Sequence, residues 1–380
     1  MRAVTAPSPP LRRLRQRAAA AIAAWLALGA VPTVAACDGA IGWRGATLRL
    51  ENDLFAGTDR NYTNGVALAR VSHDIDDGGR PCLPRPARTF ANFIAALDPG
   101  FWHGEPGTTR NLVVRAGQAM YTPADHQRRD LIVDDRPYAG LLYAGLTWNR
   151  RSQPAGSDWE RLDSREANFG VIGPWSLARE SQQLVHRLRG IERFRGWSHQ
   201  LHSEPAVQVA MERRYRRLAE GAIQPGWASD VIVGHALRLG NIETAASATI
   251  EWRAGRNLPN DFGSYPIRPG AENRPPSVTA ALRTSEPRSA QAPRPGTHAF
   301  ASVEAKAVAW DFSLDGNLWR NSHHVTRRPL LMQAAVGISS QWLVAGHGMR
   351  LAVMRVWRTR EFRGQHGNHA FGSIALSLEY

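Results

Sequence analysis

The sequence predicts an all-β protein, a transmembrane antiparallel β-barrel of about twelve strands. Three observations carry that prediction. After residue 36 there is no run of about 18 apolar residues, so membrane-spanning helices are not expected. Segments of about ten residues recur instead, alternating or small and apolar, and turn residues close each one. The last segment is the clearest. Ile374, Leu376, Leu378 and Tyr380 share one face, and Ser373, Ala375, Ser377 and Glu379 share the other. Lipid-out, polar-in alternation is the pattern of outer-membrane barrels. A soluble β-sandwich also alternates, but the export leader and the Trp residues near strand ends (Trp148, Trp252, Trp319, Trp357) favour the membrane form.

At the N-terminus, Arg2, Arg12, Arg13, Arg15 and Arg17 precede an apolar run from Ala18 to Leu28. Val34-Ala35-Ala36 then supplies the small residues that a signal peptidase needs. Residues 1–36 are expected to be a signal peptide, with an uncleaved anchor as the alternative, and residues 37–380 the exported barrel. The two cysteines are Cys37 and Cys82. An oxidising periplasm favours a Cys37–Cys82 disulfide. Val34-Ala35-Ala36-Cys37 also fits a lipoprotein box, in which Cys37 would be lipidated.

Candidate strands follow at 44–54, 62–73, 111–121, 137–149, 166–173, 204–216, 228–240, 244–256, 297–310, 328–340, 349–360 and 370–380. An even number returns both ends to one side of the membrane. With the first strand running outward from the periplasm, residues 54–61, 122–136 and 174–203 lie outside. The long insertions 74–110 and 257–296 are then periplasmic, and the second, rich in Pro and Arg, reads as partly disordered. A short helix is expected in the external loop 174–203. It follows Gly173-Pro174, stops at Gly190, and has Leu177, Leu184, Val185 and Leu188 as its apolar residues.

The formal charge is +14, of which the five leader arginines account for five. Lys306 is the only lysine. No helix-turn-helix, zinc or RNA-binding pattern accompanies that charge, so nucleic acid is not the expected partner. An exported barrel meets another polyanion, the phosphorylated lipopolysaccharide of the outer leaflet. Arginine grips phosphate bidentately.

Two polar groups are not needed to fold a barrel. One is Glu51-Asn52-Asp53, facing Tyr62-Thr63-Asn64-Gly65 across the first hairpin. The other is His186 on the loop helix, with Gln182 four residues earlier on the same face. A lone histidine reads as helix-end packing, and Asn, Asp and Thr-Asn-Gly read as turn chemistry. Together they suffice for ester hydrolysis. A neutral imidazole takes a proton from water, and a carboxylate holds its tautomer. Glu192 reaches His186 only where the chain turns back after Gly190, which a left-handed cap permits. Asn52 as an amide donor, or a hard cation on Asp53, would stabilise the oxyanion. There is no Gly-x-Ser-x-Gly elbow, no His-Glu-x-x-His and no cysteine pair for zinc, so attack by water is expected over a serine acyl-enzyme.

These segments resemble the lipid A 3'-O-deacylase family (LpxR), barrels that remove the 3'-linked acyloxyacyl group of lipid A with calcium. The matching pieces are Glu51-Asn52-Asp53, Asp59 through Gly65, Asp135-Arg136-Pro137-Tyr138-Ala139-Gly140, Gly170 through Pro174, Gln183 through His186 to Gly190, and Gly196-Trp197 with Gln200. The resemblance implies an outer-membrane hydrolase acting on lipopolysaccharide as a membrane-embedded monomer. It implies His186 as general base, Glu192 as its partner, and Asn52, Asp53 and Thr63 completing the site. Asp53 would be a Ca2+ ligand, and Arg128 and Arg129 would bind substrate, although the spacing in their loop differs from the family's. A barrel phospholipase, a porin and a non-catalytic lipopolysaccharide binder are the alternatives.

Overall fold

Alternation along the chain becomes wall and lumen in the barrel. The structure is a computed structural model that describes residues 41–53, 61–75, 83–102, 108–154, 156–220, 226–263, 275–276 and 294–380. The expected signal peptide and the Cys37–Cys82 pairing lie outside the described residues. The strands are β1 (Trp43–Asn52), β2 (Asn61–Ser72), β3 (Thr109–Thr122), β4 (Ala139–Ser152), β5 (Trp159–Ile172), β6 (Glu204–Glu220), β7 (Trp227–Gly240), β8 (Glu243–Arg256), β9 (Gly296–Asp311), β10 (Leu330–Val344), β11 (His347–Arg358) and β12 (His369–Glu379). Each pairs antiparallel with its neighbours in the chain, and β12 pairs with β1 to close the sheet. In that seam Leu48 faces Leu376 and Thr47 faces Ser377. The leucines are exposed on the outer wall. The two hydroxyls meet at 3.0 Å inside.

The expected strand count holds, and most ends agree within a few residues. β5 is the exception, starting at Trp159 rather than 166. Its added residues, Glu160, Arg161, Asp163 and Arg165 among them, carry the charge of a loop. Their partners come from neighbouring strands: Glu160 pairs with Arg151 at 2.5 Å, and Asp163 with Arg213 at 2.5 Å. Such satisfaction is not visible within one segment.

Both ends of the described barrel lie at one rim, the terminal rim. The opposite rim holds the β1–β2, β3–β4 and β5–β6 connections. Near the terminal rim the chain after β8 folds back into the lumen. Asn260 accepts from Arg151 and Arg216, and Asp261 pairs with Arg253 and with Arg350 at 2.5 Å. The start of the insertion expected to be partly disordered is thus a luminal brace.

The other insertion carries α1 (Arg85–Leu97), followed by a short turn, Pro99–Trp102. Pro84 and Arg85-Pro86 start the helix, where a missing amide hydrogen costs nothing. Ala87, Ala91 and Ile94, one helical face, bury against Leu112 of β3 and Trp148 of β4. Leu112 and Trp148 are cross-strand partners on the outward face. α1 therefore lies on the outside of the barrel. Trp148 is fully buried beneath it, so this Trp does not belong to a lipid-facing aromatic belt as its position near a strand end suggested.

Candidate active site

The second helix, α2 (Ala178–Arg189), sits at the opposite rim, also outside the wall. Two features of β3 and β4 seat it there. Outward-facing Gln118 donates to the Ser176 carbonyl at 2.6 Å. Gly140 leaves room where any Cβ would collide with Ser176 Oγ and Ala178 Cβ. Only glycine admits so close an approach.

α2 buries an unexpected face. Ala178, Gln182 and His186, spaced four apart, are its buried residues. Val185 is 48 % exposed and Leu188 79 %. Polar side chains turned in and aliphatic ones turned out reverse the pattern of a helix on a soluble protein.

Gly190 ends the helix at φ 68°, as the left-handed cap requires, and the Ile191 amide bonds back to the His186 carbonyl at 2.9 Å. The reversal brings the main-chain carbonyl of Glu192 to 2.7 Å from His186 Nδ1. A carbonyl has no proton to give, so Nδ1 is the donor, and in the neutral ring Nε2 keeps its lone pair. The Glu192 carboxylate turns elsewhere and accepts from Gln127 Nε2 at 2.6 Å. Phe194 meets the His186 ring edge-on at 4.9 Å and stacks on His126 at 4.3 Å. Trp197 Nε1 donates to Gln182 Oε1 at 2.6 Å. The loop after β3 is clasped at the same point, where the Arg195 amide bonds the His126 carbonyl at 2.9 Å.

The β1–β2 group reaches the same sector. Asn52 pairs with Asn64, Asn64 with Met120, and Met120 with Gly140. Paired residues point to one side of a sheet, and for this row it is the outside. Met120 packs with Ala178, Phe194 and Trp197, so Phe194 links the row to His186. The ladder slips between Tyr62 and Asn64, making Thr63 an extra residue. This bulge turns Thr63 to the outer side as well, where its hydroxyl lies 2.6 Å from that of Thr122. Glu51 and Asp53 are fully buried. By alternation Glu51 faces the lumen, and Asp53 follows the last residue of β1.

Asn52, Thr63 and His186 thus share one outer sector, with Asp53 beside it. Arg128 and Arg129 are exposed next to the clasped Gln127, and Arg128 pairs with Asp130 at 2.6 Å. His126, Gln127, Phe194 and Thr122 were not anticipated. Thr122 had a weak signal as the first polar residue past an expected strand, and contacts between loops leave none.

The candidate donors are hard oxygens: the Thr63 and Thr122 hydroxyls, 2.6 Å apart, and the buried carboxylate of Asp53 just past the end of β1. That chemistry suits Ca2+ better than zinc. Among the described residues no three His, Cys, Asp or Glu cluster closely enough to hold a metal. Main-chain, substrate and water oxygens would have to complete the roughly six to eight that calcium takes.

A family model described as outer membrane protein LpxR matches residues 22–380. The chain belongs to the LpxR family. The family's description places it in the outer membrane, and the closed sheet makes it a β-barrel there. Among solved structures, LpxR from Salmonella typhimurium superposes with a TM-score of 0.62 at 17 % identity, over 88 % of this chain and 100 % of that one. The β domain of the Bordetella autotransporter Brka is also similar, with a TM-score of 0.44 at 9 % identity, over 90 % of this chain and 100 % of that one. No curated protein matches the chain in sequence.

Proposed function

We propose that this barrel is a lipid A deacylase, an ester hydrolase that removes an acyloxyacyl chain, with the 3'-linked chain as the expected target. Membership of the LpxR family supports the substrate class. The observation that carries the chemistry is the His186 contact: Nδ1–H is fixed by the Glu192 carbonyl, and Nε2 is left as a proton acceptor outside the wall. Its surroundings suit a lipid ester. Val185 and Leu188 are exposed beside it, and Trp175, Leu131 and Val133 are exposed on the neighbouring loops. Such a surface fits acyl chains rather than water.

In this reading Nε2 takes a proton from a water molecule as that water attacks the ester carbonyl. The Asn52 amide faces the developing oxyanion. The C–O bond to the sugar then breaks, the imidazolium returns the proton to the departing sugar oxygen, and the acyloxyacyl chain leaves as a carboxylic acid. Ca2+, held by Asp53 with Thr63, would supply Lewis-acid polarisation of the carbonyl when bound. The Glu192 side chain would position the loop through Gln127, while its carbonyl orients His186. Arg128 and Arg129 would engage lipid A phosphates.

The test is mass spectrometry of lipid A from cells expressing the wild type or His186→Ala, with and without a calcium chelator. Loss of an acyloxyacyl mass that requires both His186 and calcium is expected. Unchanged lipid A with release of fatty acid from glycerophospholipid would instead make the protein a phospholipase. No product from either lipid, with the barrel correctly inserted, would leave a non-catalytic barrel.

A further inference from the structure

We propose that α1 is an in-plane membrane anchor. Its exposed Phe93 and Leu97 lie among the acyl chains of the phospholipid leaflet next to the terminal rim, half-buried Phe90 joins them to the wall, and Arg85 and Arg88 turn to phosphate headgroups.

The helix carries three faces. At about 100° per residue, Phe90, Phe93 and Leu97 centre about 90° around the axis from the wall-facing Ala87, Ala91 and Ile94. Arg85, Arg88 and Asn92 centre about 125° from the wall-facing residues in the other sense. Phe93 is 53 % exposed and Leu97 70 %. Had α1 met only the barrel and water, the second apolar face would have no use. A helix with wall, apolar and basic faces is built to lie at a membrane boundary.

The wall beneath it marks that boundary. Down β3 and β4 the outward pairs run Ala116–Ala144, Val114–Leu146, Leu112–Trp148 and then Arg110–Arg150. The next strands continue the last pair as Asp163 and Arg213. α1 rests on the Leu112–Trp148 pair, where the wall changes from apolar to charged. The turn after it is fixed on the charged side: Arg150 donates to the Gly100 carbonyl at 2.6 Å, and Arg110 to the Phe101 carbonyl at 3.2 Å. At the C-terminus of α1, Asp98 pairs with Arg165, the β5 partner of Trp148, at 2.6 Å. The helix therefore runs across the strands rather than along them.

Span gives a second, independent reason. α1 covers β3 at Leu112, and the α2 loop covers it at Gln118. Between these points the strand advances about 20 Å, or about 15 Å along the membrane normal at a tilt near 40°. The apolar band of such barrels is about 25 Å tall. In this sector bare wall is too short, and the exposed apolar faces of the helices must extend it. Lipid therefore fits better than a second copy or a periplasmic protein.

A photoreactive benzoylphenylalanine placed singly at Phe93, Leu97, Arg85 or Asn92 tests this. The full-length protein, reconstituted in phosphatidylethanolamine–phosphatidylglycerol vesicles and checked for heat-modifiable migration, would be irradiated and weighed intact. Phospholipid adducts several-fold more abundant from positions 93 and 97 than from 85 and 92 are expected. Equal labelling at all four positions, protein–protein adducts from 93 and 97, or no lipid adduct would each overturn the proposal. The readout needs no hydrolysis, so it stands or falls separately from the deacylase reading.

Discussion

Two helices lie on the outside of one barrel sector, at opposite rims, and they bury opposite kinds of residue. α1 places Ala87, Ala91 and Ile94 on the wall, as any packed helix would. α2 places Ala178, Gln182 and His186 there and leaves Val185 and Leu188 uncovered. Burying an amide and an imidazole is unfavourable unless each finds a partner. Gln182 accepts from Trp197, and His186 donates to the Glu192 carbonyl. A helix that only needed to cover the wall would resemble α1. The difference is the one that the chemistry proposed for α2 would require.

The largest test of that contrast is His186→Ala. Loss of a general base is expected to lower lipid A deacylation about 10²–10⁴-fold while leaving insertion intact. Quantitative lipid A mass spectrometry with a heat-modifiability gel measures both. Activity within a few-fold of wild type would remove the distinction between the helices.

Ile94→Ala is its counterpart on α1. Removing a buried branched side chain is expected to cost about 2–5 kcal/mol locally, so limited proteolysis should cut within 83–102 sooner. The site at the other rim should survive. Activity lost as fully as in His186→Ala would show that α1 also serves the chemistry.

Acid should loosen the α2 rim selectively. Buried Glu361 is paired with Arg136 at 3.0 Å and with Arg358 at 3.0 Å. Burial alone would raise its pKa, but the two guanidiniums outweigh it and hold the carboxyl at about 2. A depressed folded pKa stabilises above the unfolded value, about 4.3, and that contribution fades as pH falls towards 2. Its size is of the order of 3 kcal/mol. The prediction is faster hydrogen exchange in residues 123–138 between about pH 4.5 and 2, with Glu361→Gln showing no such step. An identical acid step in the variant would assign it to another group.

The smallest effect is expected from Gln127→Ala, which breaks the exposed bond to Glu192. About 0.5–1.5 kcal/mol of loop order should be lost. Activity should then fall no more than about tenfold, as steady-state assays on purified lipid A would read. A hundredfold loss would promote the Glu192 side chain from positioning the loop to a direct role.

Strands were readable in the sequence because lipid on one side and lumen on the other impose a period of two. Ile374 to Tyr380 displays it openly, whereas the start of β5 hides it in charges answered from other strands. The facing of α2 was not readable. Leu177, Leu184, Val185 and Leu188 mark which residues avoid water, but hydropathy does not say whether protein or lipid receives them. The candidate residues stood out as polar groups a barrel does not need. Their meeting point did not, because Thr63 reaches it through a bulge and Glu192 touches His186 through its backbone. α1 was passed over inside an insertion, its two apolar stripes masking a simple helical period.

The luminal brace sets what the barrel does to the cell's permeability barrier. Arginines from β4, β6, β8 and β11 converge on Asn260 and Asp261, crossing the interior near the terminal rim with bonded side chains. Bonds across the interior would narrow the path through it, so sensitivity to small hydrophilic antibiotics is expected to be independent of expression level.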